Sequence, residues 1–510
     1  MTINEIRGGA ILSYVSIGIY NIIGLLYTPL MLRMLGQSEY GLYSLCASII
    51  AYLTLFDLGL SNAIVRYTAQ YRAENRESEQ SGLFGTFFIL YLLLSAAVVI
   101  IGYLLSGRLE GIFGRTMNAD EMDKIRIMFF ILIFNLAFTL PMSIYSSIIT
   151  AYEKFIFKKI VDIIRIVLNT LTMVVLLFAG YKAVGMVVVT TIFNVLTLIS
   201  YSLYCYKKIK IKISFNKLNF PLIKEIFFYS FWIFLDVIVI RFYDSTGQFI
   251  LGMYVGVQAV AIYAVAIQFK TIYTSFSLAF KGLFLPRITM LNTKKSIKEI
   301  SDLFVKISRL QYMIMLFLII GIIIFGKSFI ILWAGTDYEL SYTVLLLILI
   351  PFTIDLVQNI GIIVLQAMDL LKYRSITLFI GSVIGILLAI PATKYYGIIG
   401  CATVTGLVIF FTNGIATNFI YSRIAHLDVK SFWYQAIRMS RIPLVLGVLY
   451  WFVVNYVIQI DSFIQLILAI IVFSTIYIVL VSKFVFNEYE KNIFRSFVYR
   501  CQTLFSKKMG

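Results

Sequence analysis

The feature that most constrains this chain is a series of apolar runs, each roughly 20 residues long and closed by a charged or turn-forming segment. An α-helix of that length crosses the hydrocarbon core of a bilayer. Transmembrane strands would instead alternate apolar and polar residues, and runs such as 91–105 and 342–350 do not alternate. The pattern therefore predicts an all-α polytopic membrane protein.

Counting these runs predicts about fourteen transmembrane helices, with ends placed to within a few residues. Short junctions between them indicate antiparallel neighbours in a bundle. The predicted spans are 10–32, 40–62, 83–105, 126–149, 160–179, 184–206, 226–250, 257–280, 309–333, 342–367, 374–393, 397–420, 442–459 and 463–486.

Composition supports a membrane protein over a soluble one. Hydrophobic residues make up 61% of the 510 residues and charged residues 13%, about half the charge of an average soluble domain. The formal charge of +18 would suggest nucleic acid in a soluble protein, but the sequence has no aromatic-and-basic binding motif, and we expect no nucleic-acid partner. The four cysteines lie far apart and the one histidine is His426, so we expect no metal site and no cofactor.

The distribution of Lys and Arg predicts the orientation. Most of the 43 basic residues fall in the N-terminal segment, the C-terminal tail and the loops after even-numbered predicted helices. Because basic loops stay in the cytoplasm, both termini of this multi-pass protein should be cytoplasmic. The first apolar run is already long enough to span, so we expect it to act as an uncleaved insertion signal.

The two halves of the chain repeat. Three segments match at offsets of 215 to 220 residues and fall on the same part of a helix pair, which predicts a parallel repeat about an axis along the membrane normal. We predict an N-lobe at 1–215, a C-lobe at 216–430, and two further helices with a basic tail at 431–510. The matched segments are 3–6 with 223–226, 35–43 with 255–263, and 181–190 with 396–405.

Polar residues inside apolar spans are costly and are candidates for function. The seventh and eighth predicted helices carry most of them, and those of the seventh share one face. We assign six of these residues to substrate binding. They are Asp236, Arg241, Asp244, Gln248, Gln268 and Lys270.

Two of these charges have an alternative interpretation. Arg241 and Asp244, three residues apart, form either a ligand site or an ion pair that holds the seventh helix in the bundle. Lys270 has no obvious partner on its own helix and is the better anion-binding candidate.

Other intramembrane charges fall outside this cluster. Asp355 has no cation at helical spacing, so it is predicted either to partner Arg241 or Lys270 or to bind a coupling cation. At the cytoplasmic end of the second predicted helix, Asp57 pairs with Arg66, or Arg66 meets lipid phosphate. Arg165 lies near the cytoplasmic end of the fifth helix, where a long side chain reaches the interface.

Three short motifs resemble a known family. The block Gly36 to Tyr43, the Asp-Leu-Gly-Leu-Ser block at Asp57 to Ser61, and Tyr-Glu-Lys at Tyr152 to Lys154 resemble Wzx-type O-antigen and capsular polysaccharide flippases. These belong to the multidrug/oligosaccharidyl-lipid/polysaccharide (MOP) exporter superfamily. The resemblance covers nearly the whole chain.

The resemblance implies a MATE-like fold with two six-helix lobes around a central cavity. It also implies a place in the bacterial inner (cytoplasmic) membrane, and alternating-access export of an undecaprenyl-pyrophosphate-linked oligosaccharide from the cytoplasmic to the outer leaflet. A cationic cavity for the pyrophosphate fits Arg241 and Lys270 chemically. We expect the lipid bilayer as surroundings, and a polysaccharide polymerase and a chain-length regulator as partners.

Two other transport functions stay open: a lipid II or teichoic-precursor flippase, and a cation-coupled exporter of small amphiphiles. Lipid II flippases carry an essential arginine in the first helix, whereas residues 8–32 here hold no charge. A membrane-embedded glycosyltransferase or polymerase would need an acidic catalytic motif in an early exterior loop, and the first such loop is tiny. We therefore predict that the protein is not an enzyme. The sequence contains no ATP-binding P-loop.

Overall fold

The computed structural model describes residues 3–215, 245–278, 296–458 and 460–492, together with isolated positions between 234 and 243 and between 288 and 292, and residues 495–496. Every regular element in this described part is helical, which confirms the predicted all-α fold. Most of the seventh predicted span, 226–250, lies outside the described residues.

Fifteen α-helices can be delimited in the described part, numbered in chain order. A 3₁₀ turn at Thr54–Asp57 separates the first two, and π turns follow α7 at Cys205–Ile209 and α12 at Phe410–Ala416. The helices are α1 (Ile3–Leu53), α2 (Leu60–Ala73), α3 (Glu77–Ser106), α4 (Leu109–Phe113), α5 (Ala119–Ala151), α6 (Phe155–Phe178), α7 (Ala183–Tyr204), α8 (Val257–Leu278), α9 (Ile297–Ala334), α10 (Leu340–Leu356), α11 (Asn359–Ala367), α12 (Leu371–Ile409), α13 (Thr417–Arg423), α14 (Val429–Tyr456) and α15 (Phe463–Phe484).

Eleven helical segments of the described part are long and apolar enough to cross a membrane. Two of them, Val15–Ala73 and Leu371–Arg423, are too long for one crossing, because 50 residues of helix extend roughly 75 Å. Each contains a break where the sequence predicts a junction between two spans: Gly36 has φ 77° and Gly397 has φ 59°. Helices α1 and α12 therefore each hold more than one predicted span, and the total of fourteen stays a prediction.

The described chain separates into two compact units. Unit 1 comprises Met1–Ile267 with Ser382–Thr405, and unit 2 comprises Gln268–Gly381 with Gly406–Gly510. In unit 1, α5 packs against α3, α7 and α2; in unit 2, α9 packs against α14, α15 and α10. The unit boundaries do not follow the lobes predicted at 1–215, 216–430 and 431–510, and that division stays a prediction.

Glycine is required at two kinds of position in unit 1. Gly36 and Gly256, which the sequence repeat aligns, both have positive φ (77° and 118°), a conformation that costs an L-residue energy. Gly41 has ordinary helical geometry, but a Cβ there would lie 1.9 Å from the carbonyl oxygen of Val257 at the start of α8. The Gly-x-x-x-Tyr-Gly block therefore serves a turn and a close helix contact.

Some helices extend well beyond the spans that the sequence predicts to lie in the membrane. The second predicted span ends at 62, whereas α2 continues to Ala73; the ninth begins at 309, whereas α9 begins at Ile297. Counting apolar residues measures the thickness of the hydrocarbon core, and a helix can continue past it with polar side chains. The tenth span, predicted as continuous over 342–367, is divided at Val357 and Gln358 between α10 and α11.

Candidate functional site

The candidate site begins at the break between α1 and α2. The 3₁₀ turn ends at Asp57, and the next two residues have left-handed backbones: Leu58 at φ 50° and Gly59 at φ 75°. Glycine adopts this conformation easily, but in leucine it carries an energetic cost that surrounding structure must offset. Such strain is often found at functional positions.

Asp57 is held in place by two hydroxyl groups. Ser61 Oγ, at the start of α2, donates a hydrogen bond of 2.8 Å to Asp57 Oδ1, and Tyr91 OH of α3 donates another of 2.8 Å to the same oxygen. Tyr91 is completely buried, so its hydroxyl has little freedom to move. The carboxylate is therefore fixed with Oδ1 satisfied.

A cavity of about 220 Å³ lies beside this carboxylate within unit 1. It brings together Asp57 and Arg241, which belong to separate predicted groups in the sequence. Arg241 Nε is buried and has no hydrogen-bond partner among the described residues. The cavity therefore has an anionic and a cationic wall. Its lining residues are Thr54, Leu55, Asp57, Leu58, Gly59, Phe234 and Arg241.

The start of α2 forms part of the same wall. Gly59 is the N-cap of α2 and provides no side chain to accept a hydrogen bond from the first turn. An uncapped helix N-terminus carries unsatisfied N–H groups and a partial positive charge. It adds to the anion-binding character that Arg241 gives the cavity.

The other predicted ligands of this group are found in different surroundings. Asp236 and Asp244 lie outside the described residues, so the Arg241–Asp244 alternatives stay open. Gln248 and Gln268 are half-buried. Lys270 belongs to unit 2 and is only 5% exposed, and its Nζ lies 4.9 Å from the ring centroid of Phe352. This cation–π contact is a partner that helical spacing did not reveal.

Asp355 also has a partner that the sequence did not reveal. Arg374 at the start of α12 contributes Nη2, 3.1 Å from Asp355 Oδ2, and Asn413 Nδ2 donates to the same oxygen at 2.9 Å. Asp355 is 4% exposed. The absence of a cation at helical spacing therefore does not leave this acid without a cation, because Arg374 comes from a neighbouring helix, 19 residues further along the chain.

The predicted cytoplasmic-side residues separate into two groups. Arg66 is exposed, with its guanidinium 5.7 Å from the ring centroid of Tyr67, whereas Asp57 accepts its two hydrogen bonds from Ser61 and Tyr91. Arg165 is half-buried on α6, and Asp162 one turn earlier accepts a 2.6 Å hydrogen bond from Tyr201 OH. Asp57 lines the cavity described above.

Unit 2 contains an apolar cavity that the sequence pattern did not predict. Its volume is about 270 Å³, and helices α8, α9 and α15 supply most of its walls. Three phenylalanines and two glycines of α9 are on the wall, and at Gly321 nothing lies within 4 Å of the point that a Cβ would occupy, so this glycine leaves open space. The sequence feature that could have predicted this cavity is the pair of glycines in an apolar helix rich in phenylalanine.

A helical chain that crosses the membrane many times, with opposite charges lining an internal cavity, has the design of a membrane transporter. The family model described as "Polysaccharide biosynthesis protein" matches residues 6–292, more than half of the chain. The protein therefore belongs to this family of polysaccharide biosynthesis proteins.

Two curated relatives match most of the chain. A protein of Shigella flexneri described as "Putative O-antigen transporter" is 23% identical over 401 residues, covering 77% of this chain and 91% of the relative. The "Uncharacterized membrane protein EpsK" of Bacillus subtilis (strain 168) is 22% identical over 484 residues, covering 91% and 92% of the two chains.

Solved structures show the same fold. Lipid II flippase MurJ, in an inward closed conformation, matches with a TM-score of 0.70 at 18% identity and covers 92% of this chain and 98% of its own. An inward-facing multidrug resistance MATE family transporter of the MOP superfamily matches with a TM-score of 0.67 at 12% identity, covering 82% and 99%. The MATE-like fold class predicted from the sequence is confirmed.

Proposed function

We propose that this protein is a flippase that moves an undecaprenyl-pyrophosphate-linked oligosaccharide from the cytoplasmic to the outer leaflet of the bacterial inner membrane by alternating access. Family membership and the relative described as an O-antigen transporter support this function. The observation that carries it is the cavity among membrane-spanning helices that both Asp57 and Arg241 line. A protein that only anchors in lipid has no need of such a cavity.

The hydrocarbon core of the membrane explains why a substrate of this class needs a transporter. A sugar pyrophosphate cannot cross hydrocarbon unaided, because its charges and hydroxyl groups lose their hydrogen bonds to water. A cavity that offers a guanidinium and hydrogen-bond acceptors replaces part of that hydration. Arg241 is the proposed phosphate ligand in this cavity. Lys270, in unit 2, is a separate proposed anion ligand.

The apolar cavity of unit 2 fits the other half of such a molecule. Its walls are aromatic and aliphatic side chains of membrane-spanning helices, including Phe276, Phe317 and Phe473. Each buried CH₂ group of a lipid contributes about 0.8 kcal/mol when it leaves water, although far less when it leaves the bilayer. The proposed role of this cavity is therefore to position a hydrocarbon chain rather than to supply affinity.

Export in the native host tests the proposal. We expect Arg241→Ala and Lys270→Ala to abolish surface polysaccharide while the lipid-linked repeat unit accumulates on the cytoplasmic side and the variant reaches the membrane at normal abundance. Lys270→Arg should keep partial activity, and Arg241→Lys less, since an ammonium lacks the planar fork of a guanidinium. Arg438→Ala, at an exposed position of α14, is the matched control and should export normally.

Two outcomes would redirect the proposal. Accumulation of truncated oligosaccharides instead of the complete unit would indicate a role in synthesis, that is, an enzyme. Recovery of export by Arg241→Gln combined with Asp244→Asn would show that Arg241 neutralises Asp244 and does not bind substrate.

A further inference from the structure

Among the described residues, no hydrogen bond ends on Oδ2 of Asp57. The hydrogen bonds from Ser61 and Tyr91 both end on Oδ1. An ionised carboxylate has about four acceptor positions over its two oxygens. Oδ2 is therefore the atom that a ligand in the adjoining cavity would contact, with the carboxylate held in one orientation by the two hydroxyl groups.

The remaining wall of the cavity is suited to an anion. Arg241 presents a guanidinium whose Nε is a buried donor with no partner among the described residues. The uncapped N-terminus of α2 lies at Gly59, on the same wall. A ligand that binds both the cationic wall and the Asp57 carboxylate must carry a negative charge close to groups that donate hydrogen bonds. A phosphate linked to a sugar has this chemistry.

The volume limits how much of a ligand can enter. Pockets that enclose drug-sized molecules usually measure about 300–1,000 Å³, and this cavity measures about 220 Å³. It can hold one sugar with its phosphate, but not an oligosaccharide repeat unit.

We propose that this cavity is the subsite for the sugar phosphate at the lipid-proximal end of the substrate, with Asp57 as the residue that selects the sugar. Arg241 and the start of α2 bind the phosphate, and Asp57 Oδ2 accepts hydrogen bonds from a hydroxyl or amide group of the sugar. Tyr91 and Ser61 are positioning residues. The proposal rests on the flippase function proposed above.

Binding to the purified full-length protein tests this subsite. The probes are N-acetylglucosamine 1-phosphate and inorganic phosphate, titrated into protein in phosphatidylcholine nanodiscs. The unaltered protein should prefer the sugar phosphate. Asp57→Asn should lose about ten-fold in affinity for it, because a charge-assisted bond becomes a neutral one, while binding inorganic phosphate at least as well as before. Arg241→Gln should weaken both probes, and Asp302→Asn, at an exposed position, neither.

Tyr91→Phe separates a positioning role from a purely structural one. It keeps the Asp57 charge but removes one orienting bond, so it should reduce the preference for the sugar phosphate without changing phosphate affinity. If Asp57→Asn does not fold, the same comparison is made with Asp57→Glu, whose longer side chain displaces the oxygen and should also reduce the preference.

Three results would overturn the subsite. The first is an unaltered protein that shows no preference for the sugar phosphate over inorganic phosphate. The second is an Asp57 variant that keeps the normal preference. The third is loss of the preference when the nanodiscs contain phosphatidylglycerol, because this would identify a lipid headgroup as the occupant of the cavity. Export assays distinguish this failure from failure of the transport function: the subsite can be wrong while Arg241→Ala still blocks export of the complete repeat unit.

Discussion

Asp355 shows at the scale of one residue how a membrane protein accommodates a buried charge. Arg374 and Asn413 both contact its Oδ2, so the carboxylate keeps a cation and a hydrogen bond inside the bundle. Removing one partner of a buried pair leaves an uncompensated charge, which costs far more than removing both.

We therefore predict that Arg374→Gln destabilises the purified protein by about 3–5 kcal/mol and that adding Asp355→Asn restores most of the loss. Thermal unfolding in detergent measures both. Lys327→Gln is the matched control, because the Lys327–Glu339 pair is about half exposed and contributes roughly 0–1 kcal/mol. A double variant no more stable than the single one would show that the pair is not what holds these helices.

Asp57 and Arg241 also show what sequence could reveal about the site. Both stand out in the sequence because a charge in an apolar span is costly. Helical spacing relates residues within a few turns, so it could not show that positions 184 residues apart line one cavity. The hydrogen bond from Tyr91 was hidden because tyrosine is common in membrane helices and its position alone does not indicate a partner. Ser61 belongs to the Asp-Leu-Gly-Leu-Ser motif, but the motif did not predict that its hydroxyl binds Asp57.

At the scale of helices, apolar runs predicted the bundle because each run must match the bilayer. They did not predict where helices end in water or where they break inside the membrane. The break before α2 depends on Leu58 and Gly59, and that between α10 and α11 on Val357 and Gln358, with no proline at either junction. Such breaks are maintained by tertiary contacts such as the one between Asp57 and Tyr91.

The contact between α1 and α8 gives a prediction at this scale. A methyl group at Gly41 would stand 1.9 Å from the carbonyl oxygen of Val257, a backbone atom that cannot rotate away. Gly41→Ala should therefore push the helices apart and cost at least about 1–3 kcal/mol, seen as lower thermal stability and membrane abundance. Gly18→Ala, where nothing lies within 4 Å, should be neutral or stabilising. Equal stability of the two variants would contradict the close packing.

For the whole molecule, the distribution of basic residues predicts both termini in the cytoplasm. In a background without the native cysteines, cysteines at Gly111 and Thr336 should react with an impermeant reagent in intact cells, and those at Asn75 and Lys298 only after permeabilisation. All four positions are exposed, whereas Tyr338 in the same loop as Thr336 is buried and would label poorly. The reverse pattern would invert the topology and the proposed direction of transport.

The energy source of transport is also a property of the whole molecule. One elementary charge that crosses 100 mV contributes about 2.3 kcal/mol, enough to bias two conformations of similar energy. We propose that Asp355 couples transport to an ion gradient. A cation that binds the carboxylate would have to displace Arg374 from it. The displaced Arg374 side chain would then distinguish the cation-bound conformation from the cation-free one. The structure adds a condition to this proposal, since the acid is already neutralised by Arg374 in this conformation.

Flipping in liposomes with and without an imposed ion gradient tests this coupling. In the unaltered protein a gradient should accelerate flipping, and Asp355→Asn should make flipping insensitive to the gradient or stop it. The Asp355→Asn, Arg374→Gln double variant separates coupling from stability, because it removes the acid without leaving an unpaired guanidinium. If the unaltered protein flips its substrate equally well in both conditions, Asp355 and Arg374 form a structural pair. Transport would then be driven by removal of the oligosaccharide on the outer side.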